Sequence, residues 1–428
     1  MIKRLLCLGL TLVPAIAVSL EWEAEASSGF EYTTNGLLDE RATVSELQSD
    51  MSIATEVSHQ GARSSVEADY NVSHNYYQRS FDADTTVQGS SDLSVAILPQ
   101  SLIWTSRHVR SDTLRRFSDN DTPVNRVIRQ DFQTGPMLLL RLSPLDMLQS
   151  SATRNWRTTE SDPARDSESD TVSIVYNRSL NAETGVGFSV SRSDVSFEAV
   201  QGYEIQSETV VFNREIRNGQ ISLSVGNNRI NQYLTSSESP LIELRASKLL
   251  FRSDVSMFYS RALTHTSVDF LELGADAPFF GLEGFTDVVE RESFRLNLAQ
   301  TFAETSSVNL GVYVDISASQ VSNVTNERRG IIAQGLYSRP LSSYSSTHLS
   351  YSLDILNDRP GDSSVIQDLD AGYDRTLNRR LSITTGLSYT VRTGSSSRDY
   401  SRKGVFARIT YQLYEPVIAP PAPQPEEY

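Results

Sequence analysis

Tyr176-Asn177-Arg178-Ser179-Leu180 reads as ring, polar residue, cation, any residue, aliphatic, and the chain returns to that word repeatedly. It recurs as Phe212-Asn213-Arg214-Glu215-Ile216, Tyr337-Ser338-Arg339-Pro340-Leu341 and Tyr373-Asp374-Arg375-Thr376-Leu377. Looser copies are Ala246-Ser247-Lys248-Leu249-Leu250, Leu139-Leu140-Arg141-Leu142-Ser143 and Leu298-Ala299-Gln300-Thr301-Phe302. Successive copies lie roughly 36 residues apart, with one wider gap after Ala246; that period fits two membrane-length strands, a short turn and a longer loop. Each word is followed by a few polar residues and then by a run in which apolar and polar residues alternate. Such a unit is a transmembrane β-hairpin.

The alternation runs outward from the repeats in both directions. Val172, Ile174 and Tyr176 alternate with Ser173 and Asn177, and Val308, Leu310, Val312, Val314 and Ile316 with Asn309, Gly311, Tyr313 and Asp315. Near the start, Val66, Ala68, Tyr70 and Val72 alternate with Glu67, Asp69, Asn71 and Ser73. A face of carboxylates cannot be shut inside a two-sided core, so one face of each strand is wet. No stretch carries apolar residues at helical spacing. The pattern predicts an all-β protein.

The connections alternate in kind. Short ones fall around Gly61, Ser143 to Asp146, Asn181 to Thr184, Ser342 to Ser346 and Asn378 to Arg380, and Asn218-Gly219 is the strongest hairpin signal in the chain. Longer ones, rich in charge and in Ser, Asp and Gly, are read at 78–88, 113–126, 161–169, 232–240, 265–287, 321–328, 357–364 and 394–400. Tight periplasmic turns opposite longer outward loops are the signature of outer-membrane barrels. The count predicts a single transmembrane antiparallel up-and-down β-barrel over 21–414, with about 20 strands (roughly 18–22). A barrel of that size is too wide for its side chains to fill.

Residues 1–20 read as a secretory signal peptide. Lys3 and Arg4 precede the apolar run Leu5 to Val13, then Pro14, with cleavage expected after Ala15-Ile16-Ala17 or Ala17-Val18-Ser19. That run is too short to span a membrane as a helix. Cys7 within it is the one cysteine of the chain, so the mature protein has neither disulfides nor thiol chemistry. Residues 415–428, Pro-rich and acidic, suit an extended periplasmic tail. The formal net charge is −15, more negative once Lys3 and Arg4 are removed. That sign excludes nucleic acid as a partner.

Candidate functional residues follow from the two faces. Glu67, Asp69, Asp315 and Asp354 fall on the polar face and are expected to line a cation-favouring lumen. The rings and cations of the repeated word (Tyr176 with Arg178, Phe212 with Arg214, Tyr337 with Arg339, Tyr373 with Arg375) suit a belt at the membrane interface. Phe270, Phe279, Phe280 and Phe285 belong to the longest loop, where so many apolar groups would be costly in water. That loop either enters or caps the lumen, or packs on its own strands.

Catalytic patterns are missing. The five histidines are scattered, with only His59 and His74 near enough for one hairpin to bring together. There is no Gly-x-Ser-x-Gly, no His-Glu-x-x-His and no phosphate-cradling glycine loop. The expectation is a protein that is not an enzyme and uses no cofactor; a hydrolase of lipid or polysaccharide, its Ser and His assembled across strands, is the alternative. The pairs Asp82/Asp84, Asp119/Asp121 and Asp368/Asp370 have calcium-ligand spacing, but none completes a calcium loop and they read as solvated carboxylates.

Several short stretches go further than periodicity. They are Phe30-Glu31-Tyr32-Thr33-Thr34-Asn35, Ser49-Asp50, Gly61-Ala62-Arg63, Ala68-Asp69-Tyr70 and Tyr76-Tyr77, then Thr122-Pro123-Val124-Asn125-Arg126, Thr134-Gly135-Pro136 and Val289-Glu290-Arg291-Glu292-Ser293-Phe294. With them the mature chain resembles the outer-membrane β-barrel proteins associated with PEP-CTERM/exosortase systems and exopolysaccharide loci. Loop 265–287 is short for that group and the Pro-rich tail is additional to it. The resemblance implies the outer membrane of a Gram-negative bacterium and a polysaccharide context, and it transfers no functional residue. The expected function is a porin-like or secretion-associated channel for exopolysaccharide or related surface material. Its partners would be outer-membrane lipid, polysaccharide and other export components. A non-conducting structural or assembly barrel with a plugged lumen is the other expectation.

Overall fold

The computed structural model describes residues 21–39, 43–114, 122–160, 166–198, 201–232, 235–265, 288–303, 306–319, 325–359, 362–394 and 399–414. The signal-peptide and tail readings lie outside these residues, as do Asp119 and Asp121. Twenty strands follow in order: β1 (Glu21–Thr33), β2 (Glu46–Gln60), β3 (Ser64–Tyr77), β4 (Asp84–Leu98), β5 (Leu102–Leu114), β6 (Arg126–Arg141), β7 (Asp146–Thr159), β8 (Ser167–Ser179), β9 (Thr184–Phe197) and β10 (Tyr203–Ile216). The second half holds β11 (Gly219–Gln232), β12 (Thr235–Leu250), β13 (Ser253–His265), β14 (Val288–Ala303), β15 (Ser306–Ser319), β16 (Thr325–Ser342), β17 (Ser345–Arg359), β18 (Asp362–Asn378), β19 (Leu381–Gly394) and β20 (Tyr400–Tyr414). Among the described residues the one helical element is a 3-10 turn at Pro123–Asn125.

Each strand pairs antiparallel with its neighbours in sequence, and β20 returns to pair with β1 through Ala26–Tyr411, Phe30–Ala407 and Thr33–Gly404. The cylinder is therefore closed and up-and-down. Twenty strands ~4.8 Å apart and tilted by ~40° enclose a ring about 40 Å across, backbone to backbone.

The register puts apolar residues in continuous outward rows. One row passes from Leu148 to Tyr176, Phe188, Val210, Val225 and Ile242 on six successive strands. Another runs Val255, Leu298, Leu310, Ala333 and Leu353. Val210 is 58% exposed, Ile174 50% and Leu387 59%. So extensive an exposed apolar band is stable only against lipid, and strands with all backbone groups paired in a closed ring can cross it.

Strand length explains where the sequence reading and the structure part. Strands of 13 to 18 residues rise about 33–45 Å along a barrel axis at ~40° tilt, more than an apolar band of ~25 Å requires. The surplus lies on the loop side, where the outward row of β7–β14 turns ionic. Arg154 meets Glu168 at 2.6 Å, Arg192 meets Glu204 at 2.5 Å, and Arg229 meets Glu238 at 3.0 Å. Segments 232–240 and 357–364, expected as loops, are consequently mostly strand: β12 starts at Thr235, β17 runs to Arg359 and β18 starts at Asp362. Above the lipid no apolar partner is demanded of the outer face, so the alternation stops before the strand does.

The turn side is tight. Two residues join β10 to β11, β12 to β13, β16 to β17 and β18 to β19. Asn218 adopts φ 60° in the first of these, a conformation asparagine tolerates. Phe251 in the second takes φ 49° while 93% exposed, which costs a residue with a Cβ about 1–2 kcal/mol. Phe251→Gly is expected to stabilise the barrel by about 1 kcal/mol, measured by urea unfolding in lipid vesicles.

Candidate functional site: the barrel lumen

The inward rows are rich in hydroxyls that pair across strands. Ser27 and Ser52 oxygens lie 2.7 Å apart, Ser65 and Ser94 2.7 Å, Ser73 and Thr86 2.6 Å, and Ser151 and Ser173 2.8 Å. A wall of this kind satisfies itself and still offers lone pairs to water or to sugar hydroxyls.

On β1–β4 the same face carries carboxylates set against one another. Glu23 is directly opposite Glu56, and Glu56 directly opposite Asp69. One pair of residues nearer the turns, Glu67 stands opposite Asp92. Glu21, Glu23, Glu25, Glu56, Glu67 and Asp69 are all exposed to the interior. Like charges directly opposite in a sheet are destabilising, and only water in the lumen keeps the cost small. Arg107 offsets part of this charge, 3.7 Å from Asp92. The wall has a recess of about 470 Å³ here, lined by Glu21, Ser58, Glu67, Asp92, Arg107 and Gln133 among others.

The four carboxylates expected in the lumen separate into two kinds. Glu67 and Asp69 stand on the acidic wall. Asp315 is inward but only 6% exposed, held by the Ser293 hydroxyl at 2.5 Å and Arg291 at 3.4 Å. It is a packed member of a β14–β15 cluster, not a free lumen charge. Beside it the Tyr313 ring lies over Gly330 on the opposing strand, where any side chain would collide. Asp354 shares the inward row of β17, opposite Ile332, and is partly buried.

Sequence reading missed the groups that tie the inner wall together. Arg402 bridges to Glu31 at 2.7 Å and Arg408 to Asp50 at 3.4 Å, fastening the β20–β1–β2 closure from inside. Glu46 accepts the Arg79 and Ser80 backbone N–H groups at 2.8 and 2.9 Å, anchoring the β3–β4 connection. Asp131 lies between Arg129 at 3.0 Å and Arg157 at 2.8 Å, all three buried. On β17–β19, His348 presents Nδ1 to Asp374 at 2.7 Å and Nε2 to Asp370 at 3.2 Å, and Thr384 donates to Asp374. All of these depend on register, which single residues do not announce.

The repeated word sits at the turn end, facing outward. The Tyr176 hydroxyl donates to Asp146 at 2.6 Å and Arg178 approaches the same carboxylate at 3.6 Å, so ring and cation grip the neighbouring turn. Phe212, Tyr337 and Tyr373 are 36–46% exposed on the same rows. Arg214 stands opposite Thr184, Arg339 opposite Thr347 and Arg375 opposite Ser345. Phe270, Phe279, Phe280 and Phe285 lie outside the described residues.

The described histidines are dispersed, and the Ser64 hydroxyl lies 3.4 Å from His59 Nε2 beside the β2–β3 turn. His59 and His74 are not brought together: His59 is opposite Val66 at the turn end, His74 opposite Met51 toward the loops. His108 contacts the Tyr70 hydroxyl at 2.5 Å, and both ring nitrogens of His348 face carboxylates, leaving none to take a serine proton. Asp368 and Asp370 bond Ser352 and His348; the described residues contain no group of three or more metal-ligating side chains placed to hold an ion.

No family model and no curated protein sequence matches this chain. Similar solved structures include the siderophore receptor PirA from Pseudomonas aeruginosa, at 12% identity over 92% of this chain and 80% of that one, TM-score 0.48. OccK5 (OpdH) from the same organism matches at 9% identity over 92% and 98%, TM-score 0.43. The FrpB iron transporter from Neisseria meningitidis matches at 9% over 92% and 82%, TM-score 0.45. Likenesses at this level bear on neither cargo nor chemistry; the barrel assignment rests on the closed ladder and its outward apolar rows.

Proposed function

We propose that this chain is an outer-membrane channel with a water-filled, cation-favouring lumen, serving the passage of exopolysaccharide or related surface material. The observation that carries the channel reading is the inward line Glu23–Glu56–Asp69, exposed and without an intervening cation. Carboxylates can face one another there only across water. The outer membrane is supported by the closed barrel with its lipid-facing rows, a form found in that membrane. The polysaccharide role is supported by the family resemblance and by the hydroxyl-lined wall.

The test is conductance of the purified barrel in planar bilayers. Ohmic conductance with a reversal potential favouring cations is expected. A folded, inserted barrel that passes no current overturns the open channel and favours the plugged assembly barrel. That second reading draws on one feature, the inward-packed outer ends of β13 and β14 treated next.

A further inference from the structure

Toward the loops adjacent strands part at two places, β4 from β5 beyond Gly89–Arg110 and β12 from β13 beyond Ile242–Arg261, and at the second of these the freed strand end folds inward. β11 and β12 stay paired out to Gln232–Thr235, β13 and β14 out to His265–Val288, and β14 and β15 out to Val289–Ser319. Between β12 and β13, by contrast, the ladder ends at Ile242–Arg261. Extending that register by two residues would set Leu263 against Pro240, which has no N–H to give and confines a strand to an edge.

Beyond the break, β13 runs behind the wall. Leu263 shares the outward row of Met257, Tyr259 and Arg261 and should face away from the lumen. It is instead 3% exposed and packed on Val195, Tyr203 and Ile230, residues of the inward rows of β9, β10 and β11. Two polar contacts repeat the pattern. The inward Asn228 side chain donates to the Leu263 carbonyl at 2.6 Å, and the inward Ser239 hydroxyl donates to Glu290 of β14 at 3.1 Å. Outward-row groups of β13 and β14 thus rest on inward-row groups of β9–β12. The hairpin end forms a second layer inside the cylinder. Val195, Tyr203, Ile230 and the nearby Phe197 and Ile205 form an apolar patch on an otherwise hydroxyl-rich wall, and this layer covers it.

We propose that the outer ends of β13 and β14 form a fixed ledge within the mouth, with Leu263 as its anchor, and that this ledge sets the size limit for solutes entering the channel. The proposal rests on the channel reading. Leu263→Asp places a carboxylate in the apolar socket and should release the ledge, because a buried unpaired charge is intolerable there.

Two measurements test it. In the full-length protein Cys7 is the one native cysteine, so an Ile230→Cys/Leu263→Cys pair reports the ledge's position in native membranes. A reducible cross-link is expected in most molecules of the folded barrel, and its failure to form overturns the placement. Leu263→Asp, folded as judged by heat-modifiable gel mobility, is expected to raise single-channel conductance at least twofold. It should also admit oligosaccharides excluded by the wild type in liposome-swelling assays. Wild type and variant conducting alike, with one size limit, overturns the ledge while the channel stands. A silent wild type beside a conducting variant supports the ledge and overturns the open channel at rest. Silence in both overturns the two together.

Discussion

Replacing Glu23, Glu56 and Asp69 together by Gln, Gln and Asn will lower the cation-over-anion permeability ratio roughly threefold or more at low salt. The three carboxylates form one line across β1, β2 and β3 and face water. Their fields add over one short stretch of wall, and Arg107 beside it is engaged with Asp92. Screening gives the prediction its second half: the effect should fade as salt rises from 0.1 M to 1 M, because the Debye length falls from about 10 Å to about 3 Å. Reversal potentials across a KCl gradient measure both. The same variant should be slightly more stable than wild type, by up to about 1 kcal/mol per opposed pair relieved. Unchanged selectivity with raised stability would mean that ions do not pass this wall.

The largest loss of stability is expected from Asp131→Ala. Asp131 is 8% exposed and Arg129 and Arg157 5% and 6%, so the carboxylate is the counter-charge of two buried guanidinium groups. Its removal takes a buried acceptor from both, and breaking a buried ion pair from one side costs about 3–5 kcal/mol. Arg154→Ala breaks the pairs to Glu168 and Asp170 on the exposed outer face and should cost far less, because solvent screens exposed ion pairs. Urea unfolding in lipid vesicles, followed by tryptophan emission, compares the two; Trp156 stacks on Phe132 between the two sites and reports on both. Equal losses would contradict the burial of the Asp131 cluster.

What the sequence disclosed and what it withheld divide along a physical line. Lipid imposes an apolar residue at every second position, so Val308 to Ile316 or Val172 to Tyr176 declare strand, face and membrane without help from neighbours. The word around Tyr176 was legible for a similar reason, since the turn it grips recurs with every hairpin. Above the lipid that demand disappears, and Glu238 reads as loop although it pairs with Arg229 across two strands. Pairing itself is invisible in one dimension. Glu67 and Asp69 stood out by alternation, whereas the opposition of Glu23 to Glu56 needs the β1–β2 register. Asp315 looked like Asp69 in sequence, and only the approach of Arg291 and Ser293 separates a packed carboxylate from a wet one. The inward turn of β13 left one trace, Pro240 within a strand.

The central claim is that successive residues of each strand face lipid and water in turn, and spin labels in native membranes test it most directly. Labels replacing Val210, Val225 and Ile242 should collide freely with oxygen, which concentrates in lipid, and those replacing Thr209, Ser224 and Glu243 with a water-soluble nickel chelate. That alternation on three adjacent strands is the result expected of a closed barrel around an aqueous lumen. Protection of Val210, Val225 and Ile242 from both reagents would place them in a packed protein interior and contradict the account.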